Sequence, residues 1–435
     1  MKHAVLMAIL LLTCNARGHG QVAAGSSPIE ASASRTQSTV EYTLPPDKLE
    51  QSKALYDLRG QLMVVEWSCS LAVLLALLFF GIAARYRDWA ESISRHSFIQ
   101  ALIAVPLFLL TLNLLALPLD AYRHQIGLLY GLSVQGWSSW IGDFAKGEIL
   151  TLALGVPLLW MFVIVIRKSP TRWWLYSWLI ATPTLIFIVF LAPVVIDPLF
   201  DKFGPLDAGH PQLVDAIEKV VQRGGLSIPR DRMYEMKAGE KVTTLNAYVT
   251  GFGASKRVVV WDTTMQKMTT AETLFVFGHE MGHYVLNHIV HGLILGSLGL
   301  LLALYLSYRI SGWLLPRFQQ RWHLRELGDW AALPMLFLIF GVLNFVADPI
   351  SNSIGREVEH QADVYGLEVT HGINPDSKEA AAHAFQMLGE VGLSYPYPSR
   401  LAVIWFYDHP PISDRVRFAH EYDPWAKGEK PRYVK

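Results

Sequence analysis

Cysteine is almost absent from this sequence, with only Cys14 and Cys69 among 435 residues. They belong to no CxxC pair, so a thiolate zinc site and a redox motif are excluded. Charge is also scarce: charged residues make up 17% of the chain, and 37 Lys and Arg residues are balanced by 37 Asp and Glu residues. With no net charge and no long basic run to hold a polyanion, we exclude nucleic acid as a partner.

Hydrophobic residues, in contrast, make up 52% of the chain, and there are 14 Trp residues. This composition is too apolar for an ordinary soluble protein. Charge-free apolar stretches of near-spanning length, several of them flanked by Trp, Tyr, Arg or Lys as interfacial anchors, predict a polytopic α-helical membrane protein. The six predicted spans are residues 68–84, 99–119, 149–166, 173–196, 292–308 and 330–347.

The N-terminus has the layout of a secretory signal peptide. Lys2 and His3 precede a short apolar run that ends in small residues near Ala16, and this run is too short to span comfortably. An uncleaved anchor is the alternative. We therefore assign residues 1–24 to a signal peptide or N-terminal anchor, and residues 25–63, rich in Ala, Ser, Gly and Thr at their start, to a flexible extramembrane segment.

The remaining boundaries follow from the predicted spans. Residues 64–196 hold four transmembrane helices, and residues 290–350 hold two more. The polar segments 197–289 and 351–435 must together form the soluble part.

Loop charges predict which side of the membrane these polar segments occupy. Lys and Arg number three in residues 85–98, three in 167–172 and four in 309–325, whereas the loop 120–146 carries only Arg123 and Lys146. The positive-inside rule puts the three basic loops in the cytoplasm. Both polar segments are then predicted on the extracytoplasmic face.

An HExxH motif, His279-Glu280-x-x-His283, lies in an apolar, helix-like run. A capping box at Thr269 and Glu272 would start this helix. Histidines four residues apart share one helical face and can reach the same metal ion, while Glu280 points elsewhere and can hydrogen-bond a water held by the metal. Ordinary histidines on a helix are the alternative, because the motif alone is only moderately specific.

A catalytic zinc site needs a third protein ligand and an open position. Residues 352–366 offer a candidate third ligand. Glu359 and Asp363 are four residues apart there and share one face of a predicted helix. Glu359 would bind the metal and Asp363 would accept a hydrogen bond from a ligating His. Glu357 and His360 compete for the ligand role by residue type but lie on other faces. Without the upstream HExxH motif, a solvated charged helix would be the better interpretation.

A third motif, Asp408-His409-Pro410-Pro411, is followed by Arg415. Two prolines would hold His409 rigidly, and His409 and Arg415 could present positive charge to a developing oxyanion. Taken alone, a histidine beside proline is more often a turn residue.

Together these motifs resemble the integral-membrane type I CAAX prenyl endopeptidases, gluzincin proteases with a zinc site beside a large intramembrane chamber. Residues 195–206, 246–251 and 255–263 are also similar to segments of that family, and the resemblance is strong from residue 190 onward. The sequence departs from the family at Gly355, where the family usually has Ser. It also shows six membrane spans, whereas family members typically have seven. Residues 1–16 are the sole candidate for the missing span.

The resemblance implies a mainly α fold, with a zincin-like α+β metalloprotease domain split around two transmembrane helices. It implies one Zn²⁺ per chain bound by His279, His283 and Glu359, with Glu280 as the general base and Asp363 orienting a ligating His.

It further implies that His409 and Arg415 stabilise the tetrahedral intermediate. Asn246 and Ala247 would lie on an edge strand that pairs with the substrate backbone.

The sequence thus predicts a zinc-dependent membrane endopeptidase in which Glu280 activates a zinc-held water. Its partners would be the lipid bilayer and membrane-associated or prenylated CAAX-like proteins or peptides. Eukaryotic family members are described with the catalytic side facing the cytosol, whereas the loop charges here favour the other face. Two alternatives stay open: a quality-control metalloprotease without CAAX preference, and a non-catalytic zinc-binding membrane scaffold.

Overall fold

The structure, a computed structural model, describes residues 42–251 and 256–434. The predicted signal peptide or anchor, residues 1–24, lies outside the described residues. Cys69 is a free, exposed thiol on the first helix.

The N-terminal half is a bundle of long apolar helices. Its elements are α1 (Pro46–Phe79), α2 (Ile82–Ile93), α3 (Ser97–Leu129), α4 (Trp137–Lys168), α5 (Trp173–Leu191), a π-helical turn (Ala192–Ile196) and α6 (Asp197–Phe200). The first predicted span, 68–84, covers the C-terminal part of α1 and the first residues of α2, which are separated at Gly81 by its left-handed conformation at φ 63°. Residues 46–63, which we predicted as flexible, are helical because Pro46 and Asp47 start a helix that continues into the span.

A small mixed sheet and several helices follow. They are β1 (Phe203–Pro205), α7 (Leu206–Gly209), α8 (Pro211–Arg223), β2 (Met233–Met236), β3 (Ala247–Thr250), β4 (Arg257–Trp261), α9 (Asp262–Lys267) and α10 (Thr270–Val285). The sheet order is β1-β2-β4-β3, with β2 parallel to β4 and the other pairs antiparallel. β3 is therefore an edge strand, and Ala247 lies opposite Val260.

Two more long helices return through the bundle, and three short ones complete the chain. These are α11 (His288–Phe318), α12 (Leu333–Thr370), α13 (Ser377–Val391), α14 (Arg400–Phe406) and α15 (Ile412–Glu421). The 38 residues of α12 make it about 57 Å long, roughly 27 Å more than a hydrocarbon core. Its C-terminal part therefore extends beyond the membrane.

The six predicted membrane spans are confirmed as long apolar helices. In the described part of the chain, six helices are long and apolar enough to cross a membrane. The fold is mainly α with a small sheet, as predicted.

One hydrophobic core joins the two polar segments. It includes residues of α8, α10, α12, α13 and α15. Phe275 of α10 and Phe385 of α13 meet edge to face, 5.1 Å between ring centroids. The chain thus leaves this core after α10, crosses the bundle twice, and returns to it.

The loops sort to opposite ends of the bundle. The loop between α3 and α4 bonds to the first polar segment, with Thr243 N–H donating to Leu132 C=O and Val134 N–H donating to Lys241 C=O. At the other end the three basic loops meet.

Two contacts join those basic loops. Arg325 is 3.1 Å from Asp88, and Arg167 donates to Gly328 C=O at 2.7 Å. The two polar segments and the basic loops are therefore at opposite ends of the bundle, and the membrane side of each stays a prediction.

Candidate metal and catalytic site

Helix α10 begins where its sequence predicts. The Thr269 hydroxyl accepts a hydrogen bond from Glu272 N–H at 3.3 Å, and the Glu272 carboxylate accepts one from Thr269 N–H at 3.0 Å. The predicted capping box is confirmed. In the helix that follows, His279 and His283 are four residues apart on one face.

Helix α12 brings a carboxylate to both imidazoles. His279 Nε2 lies 3.2 Å from Glu359 Oε2, and His283 Nε2 lies 3.5 Å from Glu359 Oε1. The two Nε2 atoms lie 3.2 Å apart. The residues that the sequence proposed as metal ligands are therefore together, although they come from helices separated by two membrane crossings.

Glycines permit this close approach of α10 and α12. A Cβ on Gly282 would lie 3.1 Å from the Tyr365 side chain. A Cβ on Gly366 would lie 3.0 Å from the backbone nitrogen of His279. Side chains at these positions would push α12, and Glu359 with it, away from the imidazoles.

The three ligand atoms fit a metal ion. Nitrogen and carboxylate oxygen ligands bind Zn²⁺ at about 2.0–2.2 Å, so two ligands of a tetrahedral site lie roughly 3.3–3.6 Å apart. The two Nε2 atoms lie 3.2 Å apart, and the two carboxylate oxygens of Glu359 lie 3.2 Å from His279 Nε2 (Oε2) and 3.5 Å from His283 Nε2 (Oε1). Glu359 Oε2 is buried and has no hydrogen-bond partner among the described residues, as an oxygen that binds an ion would. Two imidazoles and one carboxylate are also a donor set that catalytic zinc sites use.

Glu280 lies beside this group without joining it. Its Oε1 atom is 4.0 Å from His279 Nε2. Burial raises the pKa of the Glu280 carboxyl to about 7; the charge of His279 opposes the shift and that of Glu359 adds to it. A carboxylate with a pKa near neutrality is suited to accept and return a proton.

Asp363 lies one helical turn after Glu359 and faces His279. Its Oδ1 atom is 2.8 Å from His279 Nδ1, the nitrogen that points away from the other ligands. Arg415 of α15 holds this carboxylate through two hydrogen bonds, Nε to Oδ2 at 3.0 Å and Nη2 to Oδ1 at 2.6 Å. A buried carboxylate held in this way is suited to orient the imidazole that it faces.

Arg415 was expected to act directly on the reacting carbonyl. Its two side-chain hydrogen bonds within the described residues go to Asp363, and its action on the carbonyl stays a prediction. Its guanidinium also lies over the Phe385 ring at 4.3 Å. The sequence could not predict this partner, because 52 residues separate the two side chains.

His409 is the other candidate for the oxyanion role, and it lies at the site. Its Nε2 atom is 3.2 Å from Glu359 Oε2, and its Nδ1 atom is 2.8 Å from Asp408 Oδ1. Burial acts to lower the pKa of His409, but the charges of Glu359 and Asp408 raise it above the usual value. An imidazole this close to the proposed ligand Glu359 is well placed to meet negative charge that develops on a substrate.

The edge strand differs in part from the expectation. β3 begins at Ala247, so Asn246 lies just before it. The backbone of Asn246 is already bonded, since its N–H donates to Thr264 Oγ1 and its C=O accepts from Trp261 N–H. This bonding makes Ala247 and Val260 a non-hydrogen-bonded pair, so Ala247 N–H and C=O point toward the free edge beside α10.

Two residues that competed for the ligand role lie elsewhere. Glu357 accepts a hydrogen bond from Gln361, and His360 packs against the Phe418 ring. The sequence analysis also missed His288, whose Nδ1 atom lies 3.1 Å from His283 Nδ1. The only sequence signal was a histidine five residues after His283, past the expected end of the helix.

Comparison with known protein families gives two matches that cover most of the chain. Residues 31–202 match the CAAX prenyl protease N-terminal family, described as five membrane helices. Residues 208–423 match peptidase family M48.

Individual relatives agree with these matches. The chain is 34% identical over 401 residues to the uncharacterized metalloprotease YhfN of Bacillus subtilis, covering 91% of each protein. It is 28% identical over 319 residues to CAAX prenyl protease 1 of Saccharomyces cerevisiae, covering 70% of this chain and 68% of that one. The crystal structure of S. mikatae Ste24p has the same fold, with a TM-score of 0.76 at 24% identity, over 89% of this chain and 93% of that one.

Proposed function

This chain belongs to the CAAX prenyl protease family of membrane metalloendopeptidases, peptidase family M48, and we propose that it is a zinc enzyme that cleaves membrane-associated or prenylated peptides. The observation that carries the proposal is the meeting of His279, His283 and Glu359 within bonding reach of one ion, with Glu280 next to them.

His279, His283 and Glu359 would hold one Zn²⁺ per chain. When bound, Zn²⁺ lowers the pKa of a water molecule and polarises the scissile carbonyl. Three protein ligands are the number found in catalytic rather than structural zinc sites. This count argues against a non-catalytic scaffold.

Glu280 would act as the general base. It would accept the proton of the attacking water at its carboxylate and return it to the leaving amine. Its raised pKa, near 7, suits both steps. His409 would donate to the oxyanion that develops on the carbonyl, and Arg415 would act through Asp363 by fixing the orientation of His279.

The substrate would bind as an added strand. Ala247 offers an N–H and a C=O at the free edge of β3, and α10 packs beside the strand. A peptide that pairs there would run past the HExxH helix in extended form. Asn246 would contribute its side chain, because its backbone is bonded to Thr264 and Trp261.

The membrane position of the site favours substrates that are themselves anchored in the bilayer. The site lies on the part of α12 that extends past its membrane-crossing stretch. The relatives named CAAX prenyl proteases support a prenylated substrate. A quality-control protease without CAAX preference is the second candidate, because the loop charges favour a catalytic side outside the cytoplasm, where prenylated proteins would not be the natural substrate.

One experiment separates these candidates. The purified full-length protein is assayed for zinc and incubated with a peptide in prenylated and unprenylated forms, with Glu280→Gln as the control and mass spectrometry as the readout. We expect one zinc per chain, and cleavage that a chelator stops and added Zn²⁺ restores. Equal cleavage of both peptide forms would favour the quality-control metalloprotease. A zinc-loaded protein that cleaves neither form would favour the non-catalytic zinc-binding scaffold.

A further inference from the structure

The two proposed imidazole ligands are supported in different ways. The distal nitrogen of His279 faces Asp363, a buried carboxylate that Arg415 holds in place. Within the described residues, the hydrogen-bond partner of the distal nitrogen of His283 is an imidazole rather than a carboxylate: His288, Nδ1 to Nδ1 at 3.1 Å. Metal-bound histidines almost always have their second nitrogen bonded. His288 occupies that place for His283.

The contact continues from His288 to the surface. His288 Nε2 lies 3.2 Å from Gln361 Oε1, and Gln361 Nε2 donates to Glu357 Oε1 at 3.0 Å. His288 itself is buried, with 8% of its surface exposed, whereas Glu357 is exposed. The result is a single line of polar contacts from a proposed ligand to a solvated carboxylate.

The carboxylate at the end of this line sets the direction of every hydrogen bond in it. An ionised Glu357 can only accept, so Gln361 donates through its amide nitrogen and turns its oxygen to His288. That oxygen can only accept, so His288 carries a proton on Nε2. A neutral His288 then has a bare Nδ1, which accepts from His283 Nδ1–H. His283 is left with a lone pair on Nε2, the atom that faces Glu359 and His279.

A backbone break makes the contact possible. Asn287 adopts the left-handed conformation at φ 58°, which separates α10 from α11. An uninterrupted helix would place a residue five positions after His283 well round the helix from it, since five steps of 100° exceed a full turn by 140°. The turn at Asn287 brings His288 back to face His283.

We infer that His288 is a positioning residue, which holds His283 in the tautomer and ring orientation that metal binding needs. Gln361 and Glu357 fix the direction of the hydrogen bonds that lead to it. The inference rests on the proposed metal site and assigns to that site a residue outside the HExxH motif.

The test uses three substitutions at His288 that differ in where they place an acceptor. Asn puts an amide oxygen at the position of Nδ1, one bond from Cγ. Gln places its amide one bond further, toward Gln361, and Ala has none. Zinc affinity is measured on the purified full-length proteins by competition with a chromophoric chelator, and the visible spectrum is recorded after Co²⁺ substitution.

We expect His288→Ala and His288→Gln to weaken zinc binding by about 10–100-fold and to alter the Co²⁺ spectrum. His288→Asn should retain most of the affinity and the wild-type spectrum. His291→Ala, an exposed histidine one turn along α11, is the matched control and should bind zinc as the wild type does.

The comparison of the Asn and Gln variants decides the outcome even if the Ala variant folds poorly. Equal affinities and spectra for these two would overturn the positioning role while leaving the metal site intact. A wild-type protein that binds no zinc would instead overturn the proposed function itself.

Discussion

Helices α10 and α12 contribute to one site by different means. α10 supplies two imidazoles and a carboxylate from residues 279–283, and the spacing of any α-helix would bring both imidazoles to one face. α12 supplies Glu359 and Asp363 from the end of a helix that first crosses the membrane. These carboxylates reach the imidazoles because Gly282 and Gly366 let the helices touch. The first contribution is local in sequence, and the second depends on packing.

The substitution with the largest expected effect removes the metal ligand that α12 supplies. We expect Glu359→Gln to lose both zinc and peptidase activity, because a neutral amide is a poor ligand and the two imidazoles alone do not complete the site. Zinc content per chain and peptide cleavage are the measurements. Glu421→Gln, an exposed carboxylate at the end of α15, is the control, and zinc retained in the Glu359 variant would remove Glu359 from the ligand set.

On the α10 side, Glu280→Gln should separate binding from chemistry. Turnover should fall by about 10²–10⁴-fold, the usual contribution of a general base, while zinc content stays at the wild-type level. The rate is measured under zinc-saturated conditions. Turnover close to wild type would exclude Glu280 as the base.

A smaller effect is expected at the close contact between the two helices, where Asp363 Oδ1 lies 2.8 Å from His279 Nδ1. Asp363→Asn weakens the support of His279 and leaves the Arg415 charge without its anion. Zinc affinity should fall by about 10–100-fold. Asp414→Asn, an exposed carboxylate paired with Arg417, is the control. If Asp363→Asn bound zinc with unchanged affinity, the orienting role would be excluded.

The smallest change tests the packing alone. Gly366→Ala puts a Cβ 3.0 Å from the His279 backbone, and such overpacking typically costs about 1–3 kcal/mol. We expect a lower thermal unfolding midpoint and weaker zinc binding. Gly341→Ala on the same helix meets no atom within 4 Å and should leave both unchanged. Identical behaviour of the two variants would mean that the Gly366 contact does not hold Glu359 in place.

Features that depend on nearby residues were predicted well. The capping box at Thr269 and Glu272 was identified because it needs only a spacing of three residues. The apolar spans were found because their signal lies in continuous stretches of composition. The start of α1 at Pro46 was missed, because its first turns are polar and carry no apolar stretch of spanning length.

Features that join distant residues were harder to predict. The pairing of Arg415 with Asp363 was not predicted, because 52 residues separate the two side chains. His288 was missed because an ordinary helical count turns it away from His283, and the left-handed turn at Asn287 reverses that. The hydrogen bonds of the Asn246 backbone to Thr264 and Trp261 could not be predicted from the linear motif either.

By itself the sequence determined the membrane helices, the chemistry of the HExxH pair and the residue types available as a third ligand, because hydropathy and helical spacing act over a few turns. Only the tertiary structure decided that Glu359 meets both imidazoles and that Asp363 lies between His279 and Arg415. These contacts join helices that two membrane crossings separate along the chain, and close packing of α10 on α12 sets their distances.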